Sequence, residues 1–142
     1  MMSNTIKHAI VGSRTIHNYP AISKILKQHD IQAIISGGAK GVDTLANTYA
    51  DKHNIEIVNI YPKWNTHGKK AGYIRNKQIV NLCNVVLAFW DGKSKGTTHS
   101  FTLAKQLHKD LYIYVYNVNK RCFELHLHYD YSAKQQSKLD DF

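Results

Sequence analysis

The sequence predicts an α/β fold, an open, doubly wound sheet of about five parallel strands with a C-terminal edge strand. Three observations carry that expectation. Short apolar runs alternate with segments of helical periodicity, the pattern of βαβ units. The runs are dominated by Val, Ile, Leu and aromatic residues instead of alternating with polar ones, as in strands covered on both faces. Glycine-bearing or polar turns follow each of the first four runs, where such sheets place their ligand loops.

Residues 6–11 form the first strand. A helix over 19–29 follows, with Ile22, Ile25 and Leu26 on one face, and then the second strand at 31–35. Val42, Leu45, Ala46, Tyr49, Ala50 and His53 keep the i, i+3, i+4, i+7, i+8, i+11 spacing of an amphipathic helix. Asn54 can end that helix in the left-handed conformation. The third strand is 55–61, and a helix of weaker periodicity runs over 72–83 to a stop at Asn84. Residues 85–90 are the fourth strand. A helix over 97–108 buries Phe101, Ala104 and Leu107 ahead of a fifth strand at 111–116. Phe123, Leu125, Leu127 and Tyr129 then alternate with Glu124, His126 and His128, the period of a half-exposed edge strand. Residues 1–128 read as one domain and 129–142 as a polar tail, its last part, 132–142, frayed or a short helix.

Composition excludes several classes. The 142 residues suffice for one core, and 43% hydrophobic content excludes a disordered chain. No apolar run approaches the ~18 residues of a membrane span, and the start lacks the apolar stretch of a signal peptide. Cys83 and Cys122 are too few for a disulfide framework, so free thiols in a reducing cytoplasm are expected. Nineteen Lys and Arg against ten Asp and Glu leave a net charge of +9. Lys63, Lys69, Lys70, Arg75 and Lys77 fall in an acid-free stretch. Such a surface favours an anionic partner, or is a generally basic, soluble surface.

The unusual residues sit just past the strands. They are Gly12-Ser13-Arg14, then Ser36-Gly37-Gly38-Ala39-Lys40-Gly41-Val42-Asp43, then Tyr61-Pro62-Lys63-Trp64, then Asp91-Gly92-Lys93-Ser94-Lys95-Gly96-Thr97-Thr98. In an open parallel sheet all four turns share one edge. The chemistry of that edge suits phosphate. Small residues at 37–41 let the backbone approach, the helix that follows offers unpaired N–H groups, and Arg14 supplies a forked charge. Gly96, Thr97 and Thr98 repeat the arrangement at the next helix. Asp43 either favours its own helix electrostatically or contacts a ribose hydroxyl, and Trp64 either stacks on a base or packs.

Other matches fail. A P-loop ending at Gly92-Lys93-Ser94 would need glycine where Leu87 stands, and the 37–41 turn is not GxGxxG. His126 and His128 share a side of a strand without a third ligand, so a surface pair is expected. Neither a metal nor a resident cofactor is expected.

Gly12-Ser13-Arg14, the 36–43 turn, Trp64 with Gly68, Ala71-Gly72 and Arg75-Asn76, then Ala88-Phe89 with Gly96-Thr97 closely resemble the YspA-like branch of the SLOG superfamily. The resemblance runs from about residue 6 to 116. The superfamily includes the Lonely Guy phosphoribohydrolases and the DNA-processing competence protein. The resemblance implies a Rossmann-like fold that binds nucleotides or their derivatives at the strand ends, often as a homo-oligomer. Two departures stand out. Ser100 occupies the position of the phosphoribohydrolase glutamate, and serine cannot replace a carboxylate as acid or base at neutral pH. Asn84 stands where the branch usually has an acid.

Three functions follow. The leading one is binding of a nucleotide-derived ligand, ADP-ribose-like or a cyclic nucleotide, to sense or sequester it. Arg14, Gly37–Gly41 and Gly96–Thr98 would hold phosphate, with Arg75 and Asn76 covering the ligand. The alternative is a nucleotide-processing hydrolase relying on Asp43, Asp91 or His99. A further alternative is single-stranded nucleic-acid binding along the 63–77 stretch, with Trp64 and Tyr73 as stacking platforms. No membrane partner is expected.

Overall fold

The computed structural model describes residues 5–131, so the chain start at 1–4 and the last part, 132–142, of the tail expected over 129–142 lie outside the described residues. The elements are β1 (Lys7–Gly12), α1 (Tyr19–Leu26), β2 (Ala33–Ser36), α2 (Val42–Lys52), β3 (Glu56–Asn59), α3 (Trp64–His67), a 3-10 turn (Gly68–Lys70), α4 (Ala71–Leu82), β4 (Val85–Trp90), α5 (Lys95–Gln106), β5 (Asp110–Asn117) and β6 (Cys122–Tyr129). Six strands make one sheet in the order β3-β2-β1-β4-β5-β6. β1 to β5 are parallel and β6 is antiparallel to β5. The expected Rossmann-like sheet with a C-terminal edge strand is therefore observed.

Each face of the sheet has its own core. Ile10, Ile34, Leu87 and Phe89 face the side covered by α1 and α2, where Ile22, Leu26, Val42 and Ala46 meet them. Ala9, Val11, Val86 and Ala88 face the opposite side and pack with Ile79, Val80 and Ala104 of α4 and α5. That two-sided burial explains why the strands read as continuous apolar runs. β1 is hydrogen-bonded to β2 on one side and β4 on the other, so the chain reverses its direction of winding there. The turns after β1 and β4 separate at that point and leave a crevice.

Helix ends follow local chemistry. The Asn18 side chain accepts the Ala21 N–H and caps α1. α1 stops at Leu26, short of the expected 29, because Gln28 and His29 donate to the carbonyls of Ile25 and Leu26 in a tightened final turn. Asn54 takes φ 52° after α2, and the Ile55 N–H reaches back to the Ala50 carbonyl. That is the left-handed stop expected of Asn54. His108 and the Lys109 N–H repeat it after α5, with φ 57° and a bond to Ala104. The helix expected from 97 begins at Lys95, so Gly96 lies inside its first turn instead of breaking it.

β6 departs from simple alternation. Ile113 pairs with Leu127 and Tyr114 with Leu125, which leaves His126 as an extra residue in a bulge. The bulge changes the phase of the strand. Before it, Phe123 enters the α1-side core beside Phe89, while after it Leu127 packs against the core on the opposite face. It also breaks the strict two-residue spacing that would align His126 with His128. The His128 ring stacks on Tyr112, and no group of three potential metal ligands occurs among the described residues.

Candidate functional site

A cavity of about 430 Å³ opens at the carboxyl ends of β1, β2 and β4, in the crevice between the β1 and β4 turns. Its wall comes from four places. The β1 turn supplies Gly12, Arg14 and Thr15, and the β2 turn with the first turn of α2 supplies Gly37, Ala39 and Asp43. α4 contributes Arg75 and Asn76, while the β4 turn and α5 contribute Asp91, Lys93, Ser94, Gly96, Thr97 and Ser100.

Close packing sets these turns. A Cβ on Gly12 would overlap the Phe89 carbonyl and the Val42 side chain, so only glycine lets β1 pass between β4 and α2. Gly41, at φ 73°, caps α2 against the Ser13–Arg14 backbone. The Ser13 carbonyl accepts the Val42 N–H at 3.2 Å, and the Ser13 hydroxyl accepts the Asp91 N–H at 3.0 Å. Ser13 therefore ties three segments together from a fully buried position.

Arg75 is buried, unusually for arginine. Its Nη1 donates to the Gly37 carbonyl at 2.8 Å and its Nε to Asn76 Oδ1 at 3.0 Å. Burial lowers its pKa, opposed by Asp43, yet a guanidinium so placed stays charged. Asp43 Oδ2 accepts the Ala39 N–H at 3.1 Å. Burial pushes the Asp43 carboxyl up, while the Ala39 amide and the charges of Arg75 and Arg14 pull it down. Ser36 Oγ lies near enough to favour the Asp43 anion but makes no hydrogen bond.

The β4 turn is closed on itself. Asp91 Oδ1 accepts the N–H groups of Lys93 at 2.9 Å and Ser94 at 2.8 Å, and Oδ2 accepts the Thr15 hydroxyl at 2.8 Å. Burial alone would raise the Asp91 carboxyl. The Lys93 and Ser94 amides and the Thr15 and Ser13 hydroxyls outweigh it and hold Asp91 below the usual range. Ser94 then caps α5, its hydroxyl accepting from the Thr97 N–H and Thr97 Oγ1.

Ten of the seventeen residues singled out from the sequence line this cavity: Gly12, Arg14, Gly37, Ala39, Asp43, Arg75, Asn76, Asp91, Gly96 and Thr97. Seven do not. Ser13, Ser36 and Gly41 are buried behind it. Gly38, at φ 68°, packs under the Tyr61 ring. Lys40 is exposed, and Thr98 Oγ1 donates to the Lys95 carbonyl. Trp64 is 52% exposed on α3, with its ring edge near Gly72. His99 is outside the lining, with Nδ1 at 3.2 Å from Asn76 Nδ2. Sequence reasoning missed Thr15, Lys93, Ser94 and Ser100 as wall residues. Thr15 directly follows Gly12-Ser13-Arg14, and that adjacency was the available signal.

Comparison with known proteins finds relatives of the sequence and of the fold. The family model of the YspA, cpYpsA-related SLOG family matches residues 9–67, which include the β1 and β2 turns. The Gene 61 protein of Mycobacterium phage D29 is 38% identical over 79 residues, covering 51% of this chain. The chain spans 63% of the length of that relative. The fold is shared with DNA processing protein A from Streptococcus pneumoniae, at a TM-score of 0.64 and 22% identity over 77% of this chain and 50% of that one. It is shared also with DNA processing protein A from Helicobacter pylori, which has a single-stranded DNA binding mode. There the TM-score is 0.63 and the identity 23%, over 96% of this chain and 74% of that one. With the matched turns forming one wall of the crevice, residues 9–67 of the chain are similar to the YspA, cpYpsA-related SLOG family.

Proposed function

We propose that the protein binds a nucleotide-derived ligand, such as an ADP-ribose-like or cyclic nucleotide signal, and senses or sequesters it. One observation carries the reading: Arg14, Arg75 and Lys93 converge with glycine backbone on a single open cavity at the sheet's switch point. Its volume, about 430 Å³, lies within the ~300–1,000 Å³ usual for small-ligand sites. Arg14 receives the phosphate, since Arg75 is committed to Gly37 and Asn76. The carboxylate of Asp43 suits a sugar hydroxyl, and the SLOG resemblance supports nucleotide chemistry at this edge. The proposal extends to a single domain over 1–128, a tail over 129–142, a cytoplasmic location and a homo-oligomer. Purified protein should retain a nucleotide in native mass spectrometry. It should also gain ~2.7 kcal/mol of stability from a ligand at 100 times its Kd. No retained ligand and no thermal shift with nucleoside monophosphates, cyclic nucleotides or ADP-ribose would contradict the reading.

A second reading, single-stranded nucleic-acid binding, is favoured by one surface. Tyr61, Trp64 and Tyr73 are 60%, 52% and 54% exposed beside the exposed Lys63, Lys69, Lys70 and Lys77. Lys70, Tyr73 and Lys77 recur at i, i+3 and i+7 and share one helix face. The Helicobacter pylori relative supports it too. Oligonucleotide binding that falls steeply with salt is expected under this reading, and no gel shift at low salt would remove it. Hydrolysis has no comparable support: Asp43 and Asp91 already accept backbone amides, and Ser100 holds the catalytic glutamate's position.

A further inference from the structure

We propose that Asp91 is a built-in anion that fills the amide nest ahead of α5 and restricts the cavity to ligands bearing a single phosphate group. The inference rests on the phosphate reading of the cavity and narrows it. Backbone N–H groups that converge on one point at a helix start form a concavity for phosphate oxygen. Here the N–H groups of Lys93 and Ser94 do converge, at 2.9 and 2.8 Å, but on Asp91 Oδ1. The carboxylate is anchored from the other side by the Thr15 hydroxyl at 2.8 Å, and its own N–H is fixed to Ser13 Oγ.

Two further donors, beyond Lys95 and Gly96, are also committed. Thr97 N–H goes to Ser94 Oγ and Thr98 N–H to the Ser94 carbonyl. The turn that most resembles a phosphate loop in sequence thus has its Lys93 and Ser94 amides committed to Asp91, which stands in the cavity wall as a negative charge. A phosphate can approach Arg14 in the same cavity. A second phosphate that reached the β4 turn would meet the like charge of Asp91 where a phosphate loop offers the two amides. Among the ligands considered above, this favours a cyclic mononucleotide and disfavours the diphosphate of an ADP-ribose.

The test is calorimetric titration of the full chain with inorganic phosphate and with pyrophosphate. The wild-type protein should bind pyrophosphate no more tightly than phosphate. Asp91→Ala opens the nest, and the ratio of pyrophosphate to phosphate affinity should rise at least tenfold. Asp91→Asn keeps an oxygen on the two amides and can exchange hydrogen bonds with Thr15, which safeguards folding. Loss of the charge alone should raise the ratio about threefold. A ratio unchanged in both variants overturns the role of Asp91, as does a wild-type preference for pyrophosphate of tenfold or more. If the wild-type protein binds neither anion, the phosphate reading of the cavity falls first, and this inference falls with it.

Discussion

Arg75 and Gly37 determine each other's identity. The guanidinium lies against Gly37 so closely that an added Cβ would come within 2.9 Å of both Arg75 Cζ and Asp43 Oδ2. Gly96 presents the opposite case, with no heavy atom within 4 Å of a Cβ and no left-handed φ. One substitution at two places should therefore give opposite signs. Gly37→Ala should destabilise the protein by ~1–3 kcal/mol, the cost of forcing a side chain into a packed site. Gly96→Ala should be neutral or stabilising by up to ~1 kcal/mol, because it replaces glycine within a helix. It should still weaken ligand binding if the ligand approaches this backbone. Denaturant midpoints and a ligand titration read both effects. Equal stability losses at the two positions would show that burial does not govern the difference.

At the scale of elements, the seam where the end of α1 meets β1, β5 and β6 holds an aromatic and histidine cluster remote from the cavity. His29 Nε2 lies 2.7 Å from Tyr114 Oη, the His29 and Tyr112 rings meet edge to face, and His128 stacks on Tyr112. His8 is 5% exposed, with its Nδ1 lacking a hydrogen-bond partner. Burial, with help from the His29 charge and against the pull of Asp30, lowers the His8 pKa to about 4. Burial and His128 also lower that of His29. A base whose folded pKa lies below its unfolded value is neutral in the native state and takes up its proton on unfolding. Its contribution is intact above the unfolded value near 6.5 and is lost as the pH falls toward 4. His8 alone should cost ~3 kcal/mol across that window. Melting curves from pH 7 to pH 4 should show this loss, and His8→Leu should flatten it. An unchanged acid limb in the variant would remove His8 as its source.

These elements also mark how far the sequence could be read. The five parallel strands were legible because two-sided burial leaves a direct apolar imprint, and Asn54 announced the end of α2 by its tolerance of the left-handed conformation. The end of α1 was not legible, since 27–29 keep a helical composition while their hydrogen bonds tighten. The bulge at His126 was hidden because an inserted residue leaves alternation intact on paper and breaks it in space. In the candidate site, strand-end position located the turns. It could not distinguish the wall from its supports, because Ser13 and Gly41 act through backbone packing. The commitment of the Asp91 turn to its own carboxylate lay outside the reach of spacing.

At the scale of the molecule, the sheet separates two tasks. Its amino ends and α1 side carry the histidine seam and stability, while the carboxyl ends of β1, β2 and β4 open the cavity where winding reverses. A net charge of +9 raises the local concentration of any anionic ligand, and Arg14 in a loop can bind it at little cost to the core. The most direct test of that division is amide chemical-shift mapping of isotope-labelled protein titrated with the four ribonucleoside 5′-monophosphates. The shifts should gather at residues 12–15, 37–43, 75–76 and 91–97, and Arg14→Ala should abolish them with its melting temperature nearly unchanged. Shifts confined to α3 and α4, or an Arg14→Ala variant that binds as the wild type does, would contradict the account.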